Sequence, residues 1–355
     1  MAGFYKALSG ALFLMDPEKA HNLSLMGLKS GFMPLKSANV DPSLAIDRFG
    51  LSFPNPIGLS AGYDKNGDAL DALLGLGFGF VEAGSVTPKP QVGNPKPRIF
   101  RLKEDAAVIN RLGFNNKGLE AAKKNFEAPR RAGVVGANLG ANKDSDDRIA
   151  DYVTGLKVLA PLADYITVNI SSPNTPGLRA LQGRGELEEL LGRVMTARTE
   201  LDTERDQNIP LLLKIAPDLT DEDKDDIAAV ALSTGLDGLI ISNTTITRPE
   251  SLHNKQKVEI GGLSGAPLKS LSLKLLSEMY KHTDGKIPLV GVGGIATAED
   301  AFERIKAGAS LVQFYSAMVY EGPYLAHKMA VGLAALLKGN GFKSVEEAIG
   351  ATHRP

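Results

Sequence analysis

The chain has 355 residues, 43% of them hydrophobic, and a formal net charge of -1 from 40 basic and 41 acidic side chains. That length supports one large domain or two ordinary ones with a full core, and the balanced charge gives no general nucleic-acid surface. With no cysteine, disulfides, cysteine-held metals, iron–sulfur clusters and thiol catalysis are excluded; the five histidines show no ligand spacing, so no metal site is expected.

No apolar run reaches the roughly 18–20 residues of a membrane span. The N-terminus lacks an apolar signal core followed by a small-residue cleavage site, so no export is expected. Residues 1–38 read as a helical extension. Phe4, Tyr5, Leu8, Leu12, Phe13 and Met15 form a short helix with a wide apolar face. Asp16-Pro17-Glu18 starts a second helix, with an Asp cap, proline at the first position and acid in the first turn. It carries Ala20, Leu23, Leu25, Met26 and Leu28 and ends at Gly31. Two short helices cannot hold a core between them. They lie on the main domain, on a partner or on a bilayer surface, and Lys6, Lys19, Lys29 and Lys36 are compatible with anionic lipid.

Residues 39–355 alternate strand and helix patterns. Ala45 to Pro54 reads as a small hairpin closing a barrel floor. Strands are expected near 57–61, 78–84, 133–139, 164–170, 210–215, 237–242, 287–291 and 310–314. Helices are expected near 66–76, 116–125, 146–160, 185–201, 221–234, 267–281, 298–306, 323–337 and 343–349. Eight strands with intervening helices predict an α/β fold, a (β/α)8 TIM barrel with an N-terminal two-helix extension.

Unusual residues sit at the strand ends, which converge on one face of a barrel. They are Ala61-Gly62-Tyr63-Asp64-Lys65, Gly84-Ser85-Val86-Thr87-Pro88, Asn138, Asn169-Ile170-Ser171-Ser172-Pro173-Asn174-Thr175, Lys214, Ser242-Asn243-Thr244-Thr245, Gly291-Val292-Gly293-Gly294 and Tyr315-Ser316. The glycines after the seventh strand allow backbone amides to approach a phosphate, and donors after the eighth complete the pocket. Gly261-Gly262-Leu263-Ser264-Gly265 offers a third flexible backbone segment. The glycine pattern of a dinucleotide fingerprint is missing.

Lys214 lies inside the apolar run Leu211-Leu212-Leu213-Lys214-Ile215. It either reaches out at the strand end or supplies a cation beside a cofactor that becomes anionic on reduction, a need that a flavin ring fits. Lys65 can reach a carboxylate, and Asn110, Asn174 and Asn243 can serve an amide-rich ring; together they suggest a planar heterocyclic acid. Singly, each asparagine also reads as a cap or turn residue. Ser172 is a candidate base that needs a hydrogen-bond relay, through Thr175 and a water, and a closed site; otherwise it is a structural serine of a turn.

Over nearly its whole length the chain resembles dihydroorotate dehydrogenases, specifically the quinone-dependent class 2 enzymes. The motifs are Ser60-Ala61-Gly62-Tyr63-Asp64-Lys65-Asn66-Gly67, Glu82-Ala83-Gly84-Ser85-Val86-Thr87-Pro88, Asn110-Arg111-Leu112-Gly113-Phe114-Asn115, the Ser172 segment, Lys214-Ile215-Ala216-Pro217-Asp218 and the closing glycines. The resemblance implies one noncovalent FMN at the barrel mouth and oxidation of dihydroorotate to orotate in pyrimidine biosynthesis. It implies substrate contacts from Lys65, Asn110, Arg111, Leu112, Gly113, Phe114, Asn169, Asn174, Asn243 and Thr244. Implied FMN contacts are Ala61, Gly62, Lys65, Ser85, Asn138, Asn169, Lys214, Ser242, Gly265, Gly293, Gly294, Tyr315 and Ser316. Ser172, with Thr175 and Lys214, matches the catalytic positions, Ser172 as the base that takes the C5 proton while C6 gives hydride to the flavin. His21, Arg101 and Tyr315 match positions near a tunnel for ubiquinone or a related quinone; His21 alone also reads as a packing residue. Tyr63 stands where phenylalanine or leucine is common, and Ser85 where threonine is also seen.

The same resemblance implies a monomer bound peripherally to lipid on the cytoplasmic face of a bacterial inner membrane, with no nucleic-acid or metal partner. A soluble class 1-like enzyme using fumarate or NAD is disfavoured by Ser172 and by the N-terminal helices, because class 1 enzymes place cysteine at that position. A dihydrouridine synthase acting on RNA would generally use cysteine as acid and add an RNA-binding domain.

Overall fold

A strand buried on both faces must find partners on both edges, and a closed ring of strands meets that demand without leaving an edge. The computed structural model describes residues 10, 12–31, 33–131, 133–205 and 208–354. Most of the helix expected at 4–15 lies outside the described residues, as do Lys6 and Phe32. Gly10 and Leu12–Leu14 are helical. Helix α1 (Pro17–Lys29) starts as expected, with the Asp16 carboxylate accepting the Glu18 and Lys19 N–H groups at 3.1 and 2.9 Å. The hairpin β1 (Ile46–Arg48) and β2 (Leu51–Phe53) follows.

The barrel then begins with β3 (Ile57–Leu59), α2 (Leu70–Leu74) and β4 (Phe80–Val86). An excursion supplies β5 (Ile99–Leu102) and β6 (Ala107–Asn110). The alternation resumes with α3 (Leu119–Phe126), β7 (Val134–Leu139), α4 (Arg148–Leu159), β8 (Tyr165–Asn169), α5 (Arg184–Arg205), β9 (Leu211–Ile215), α6 (Asp221–Thr234) and β10 (Gly238–Ile241). After β11 (Gly262–Gly265) come α7 (Lys269–His282), β12 (Leu289–Val292), α8 (Ala298–Lys306) and β13 (Ala309–Phe314). Helices α9 (Ala317–Glu321), α10 (Leu325–Gly339) and α11 (Val345–Ala348) finish the chain. Strands β3, β4, β7, β8, β9, β10, β12 and β13 close into a parallel barrel in that order, which makes the fold a TIM barrel.

The barrel interior changes character from floor to mouth. At the floor, Phe53 of the hairpin packs edge-on against Phe80, whose ring lies 6.4 Å from that of Tyr165. A Cβ on Gly58 would sit 2.3 Å from the Phe80 ring, and one on Gly136 2.1 Å from the Tyr165 ring. Glycine at these two positions makes room for the large rings. Above them the interior is polar, with Glu82, Asn138, Thr167 and Gln313 all fully buried.

Three expectations change. Only residues 70–74 of the expected 66–76 helix are helical, because the buried Asp64 carboxylate accepts the N–H groups of Asn66, Asp68 and Ala69 and holds that stretch as a turn. The expected helix at 116–125 begins at Leu119, after Gly118 at φ +81°. Gly262–Gly265 is not a flexible run: it is a strand paired antiparallel with β6, which pairs with β5. These three strands form a small sheet with its own core of Phe100, Leu102, Ala107, Ile109, Leu252 and Leu263.

Candidate active site

The strand ends and the N-terminal helix line one cavity of about 570 Å3. At the barrel end its wall includes Ala61, Gly62, Lys65, Ser85, Asn169, Ser172, Asn174, Lys214, Ser242, Asn243 and Thr244. The small sheet adds Asn110, Leu112, Gly113, Phe114 and Gly265; the last barrel loops add Gly293, Gly294, Tyr315 and Ser316. At the other end lie Leu12, Phe13, Ala20, His21, Ser24, Leu28 and Arg101.

Lys214 is buried, and its Nζ donates to Ser60 Oγ at 3.1 Å. Burial lowers its pKa, while the Glu82 carboxylate pulls the other way. Lys65 Nζ donates to the Gly62 carbonyl at 2.8 Å, and burial brings its pKa down to about 8. Ser172 Oγ accepts the Asn174 backbone N–H at 3.2 Å. Asn174 Nδ2 in turn donates to Asn110 Oδ1 at 3.2 Å, so a barrel loop and the small sheet meet across the cavity. Gly262 permits this approach: a Cβ there would lie 2.0 Å from Thr244 Oγ1 and 3.2 Å from Pro173.

Gly293 and Gly294 have φ of +107° and +68°, a region open to glycine, and a Cβ on Gly294 would strike the Lys269 backbone at 2.4 Å. Behind them the fully buried Arg304 donates to the carbonyls of Lys269 and Gly293 at 2.9 and 2.7 Å. Ser316 Oγ is 2.7 Å from Ser264 Oγ, joining the last barrel loop to β11.

Helix α1 reaches the site through its His21 face. The His21 ring stands edge-on to Tyr63 at 5.1 Å and tilted to Tyr315 at 6.3 Å. Burial, with the Lys65 charge adding to it, holds the imidazole down to about 3, so His21 is neutral. Arg101 donates to the Leu12 carbonyl at 3.0 Å and the Phe13 carbonyl at 3.2 Å, binding the 12–14 turn to β5.

Three of the expected residues stand back from the cavity lining. Arg111 pairs with Glu259 at 2.6 Å and covers the Phe100 ring. Asn138 is fully buried behind Ser85 and Asn169. Thr175 is buried, and its carbonyl takes the Leu178 N–H. Residues not singled out from the sequence complete the frame. Arg179 donates to the carbonyls of Ser171 and Thr244 and pairs with Asp218 at 2.8 Å, tying three strand-end loops together. Glu82 accepts four side-chain hydrogen bonds inside the barrel. It was legible by the logic applied to Lys214, being a charge inside an apolar run.

A family profile for dihydroorotate dehydrogenase matches residues 43–337. A protein of Erythrobacter litoralis named dihydroorotate dehydrogenase (quinone) is 55% identical over 348 residues, covering 98% of this chain and 99% of its own. One of Rhodospirillum rubrum with the same name is 54% identical, covering 100% of this chain and 96% of its own. The crystal structure of the Eimeria tenella DHODH in complex with ferulenol superposes with a TM-score of 0.91 at 45% identity, covering 96% of each chain. Profile, full-length identity and barrel geometry agree: this chain belongs to the dihydroorotate dehydrogenase family.

Proposed function

We propose that the chain oxidises dihydroorotate to orotate, a step of pyrimidine biosynthesis, with FMN as bound cofactor and a membrane quinone as final acceptor. The observation that carries this reading is one cavity running from Ser172, Asn110, Asn174 and Lys214 at the barrel mouth to His21 and Arg101 at the N-terminal helix. A quinone-dependent enzyme needs a polar place for its acid substrate and an apolar route for its acceptor, and this cavity offers one at each end.

The lining also suits a flavin nucleotide. It offers a buried cation at Lys214, the amide side chains of Asn169 and Asn243, and the glycine turn at Gly293-Gly294 where backbone can meet a phosphate. When bound, FMN supplies the two-electron acceptor between substrate and quinone. Lys214 holds positive charge at the barrel mouth. Asn110, Asn174, Asn243, Thr244 and Lys65 orient the substrate, Lys65 facing its carboxylate. Ser172 Oγ removes the C5 proton. Ser172 gives up its own hydroxyl proton as it takes that one; the Asn174 N–H holds the oxygen in place, and burial keeps bulk water out. Thr175, three residues on, relays the proton away.

We assign residues 1–38 to quinone access and lipid contact, and residues 39–355 to catalysis, in a monomer attached peripherally to the cytoplasmic face of the inner membrane. Among the described residues no helix is long and apolar enough to cross a membrane. Exposed Leu14, Leu23, Met26 and Leu35 favour attachment to its surface.

The test is anaerobic mixing of flavin-replete protein with dihydroorotate, followed by a soluble ubiquinone analogue. Bleaching of the flavin and its recovery on adding quinone are expected. Bleaching without recovery would point to another acceptor, and no bleaching would overturn the substrate.

A further inference from the structure

The barrel interior holds a chain of side-chain hydrogen bonds whose direction is set at both ends. Glu82 is fully buried on β4. Its Oε2 accepts from Tyr165 Oη at 3.1 Å, Thr167 Oγ1 at 3.2 Å and Gln313 Nε2 at 3.0 Å. Its Oε1 accepts from Asn138 Nδ2 at 2.8 Å. A carboxylate accepts and cannot donate, so Asn138 must turn its Nδ2 inward and its Oδ1 toward the mouth. That Oδ1 accepts from Ser85 Oγ and, at 3.3 Å, from Asn169 Nδ2. Ser85 has spent its proton on Asn138, so its oxygen accepts from Asn169 Nδ2 at 2.9 Å.

Asn169 then has only its Oδ1 for the next link. It accepts the Ser171 backbone N–H at 3.2 Å and the Ser171 hydroxyl at 2.6 Å. A backbone N–H can only donate, so this end is also fixed. Ser171 Oγ finally accepts from Asn243 Nδ2 at 2.9 Å. An amide can ordinarily turn over and exchange its donor and acceptor edges. Here an acceptor-only group at one end and a donor-only group at the other leave one consistent arrangement.

We propose that Glu82 is a positioning residue that imposes this direction, and so sets the donor and acceptor edges that Ser85 and Asn169 present to the cavity. This rests on the flavin and dihydroorotate reading above and names what in the chain prepares that site. Its chemical content is polarity rather than bulk. Glutamine at position 82 has the same shape but only one acceptor edge. With its amide toward Asn138 it meets that amide donor to donor, and Asn138 can relieve the clash only by turning over against the donors of Ser85 and Asn169. With its oxygen toward Asn138, its amide meets the Tyr165, Thr167 and Gln313 donors, which must turn over instead. The acceptor-only character that fixes the direction is lost either way.

The test is a double-mutant cycle with Asn138→Asp. In the Glu82→Gln/Asn138→Asp pair the glutamine amide donates to the new carboxylate, which accepts from Ser85 and Asn169 as before. The direction is restored with the same total charge. Apoprotein is titrated with FMN by fluorescence quenching, and the FMN-loaded protein with orotate by the flavin absorbance change. Glu82→Gln is expected to weaken FMN binding by roughly 10–100-fold, the range for one unmade buried hydrogen bond, and to weaken orotate binding in the loaded protein. Asn138→Asp alone brings two carboxylates face to face and is expected to be at least as damaging. The double variant is expected to bind FMN within about 3-fold of wild type, near the error of additivity.

A Glu82→Gln protein that binds both ligands like wild type would overturn the proposal. So would a double variant no better than the worse single one, since that pattern means only that the original groups pack well. If the single variants do not fold, the double variant decides alone: folded and binding FMN supports the imposed direction, and failure to bind overturns it. Wild-type apoprotein that takes up no FMN would instead sink the flavin reading, and this proposal with it.

Discussion

Ser172 Oγ, held by the Asn174 N–H, is a weak base as a hydroxyl, so its proposed role requires its own proton to pass on as it takes the C5 proton. Ser172→Ala is expected to keep FMN and orotate binding and to slow flavin reduction by dihydroorotate by roughly 10²–10⁴-fold, the usual worth of a positioned base. Stopped-flow absorbance measures this; an unchanged rate would remove the assignment. In the proposed reaction Lys214 acts on the cofactor instead. Its buried cation favours an anionic reduced flavin, so Lys214→Met is expected to lower the flavin midpoint potential by roughly 30 mV or more, a tenfold shift for a two-electron couple. An unchanged potential in spectroelectrochemistry would show that Lys214 only fills space. Much at this scale was readable from the sequence, since a lysine inside an apolar strand and a serine at a strand end are out of place as packing. The direction of a hydrogen-bond chain was not readable. It depends on Glu82 of one strand meeting Asn138 of another, and no spacing along the chain encodes that meeting.

Helix α1 is a separate case, because a 13-residue helix has little stability of its own and is held by what it docks on. Glu18 and Arg98 form two bonds at 3.0 and 2.7 Å, with the Arg98 side chain 4% exposed. The Arg98 guanidinium holds the Glu18 carboxyl below its usual range. Glu18→Ala leaves a buried guanidinium unpaired and is expected to weaken docking by roughly 3 kcal/mol. His21 adds a pH dependence. It faces Lys65, Tyr63 and Tyr315, with Glu18 on its own helix. Docked, its pKa is about 3; released, it returns to about 6.5. Between those values the released helix binds more protons, so docking is strongest above pH 6.5 and weakens as pH falls toward 3. Glu18, also lowered, acts in the same direction. The chain has no cysteine, so one introduced at exposed Met26 takes a single fluorophore. Its anisotropy is expected to drop on acidification, and His21→Gln to blunt the drop; equal curves would exclude His21 as the sensor. The eight barrel strands and the α1 start were legible as elements, because each is a contiguous pattern with its own boundaries. The small sheet was not, because β5, β6 and β11 are four residues each and β11 enters from over 150 positions along the chain.

At the scale of the whole molecule, the proposed function gives the two ends of the cavity partners of opposite character, and α1 belongs to both the inside and the outside. Its His21, Leu23 and Ser24 line the cavity, yet Leu23 is also partly exposed, and Met26 is exposed with Leu14 and Leu35 nearby in sequence, Leu14 being 89% exposed. Burying a leucine or methionine side chain stabilises attachment by roughly 1.5–3 kcal/mol, so four such residues suffice for reversible binding to a bilayer surface. A quinone leaving that bilayer would meet the apolar end of the cavity first and the barrel mouth last. The polar end depends on none of this: Ser172, Asn110, Asn174 and Lys214 are held by barrel loops and by the small sheet. Removing residues 1–35 is therefore expected to leave dihydroorotate-driven bleaching of the flavin within about 3-fold of the full chain, inside the scatter expected for independent sites. The same deletion is expected to abolish co-sedimentation with phospholipid vesicles and to lower the rate of quinone reduction at least tenfold, about 1.4 kcal/mol of transition-state stabilisation. Vesicle binding lost with quinone reduction intact would make these helices an anchor only, and quinone reduction lost with vesicle binding intact would make them a quinone-site wall only. Loss of the first half-reaction as well would mean that the extension holds the barrel mouth in shape, through contacts such as His21 on Tyr63 and Tyr315.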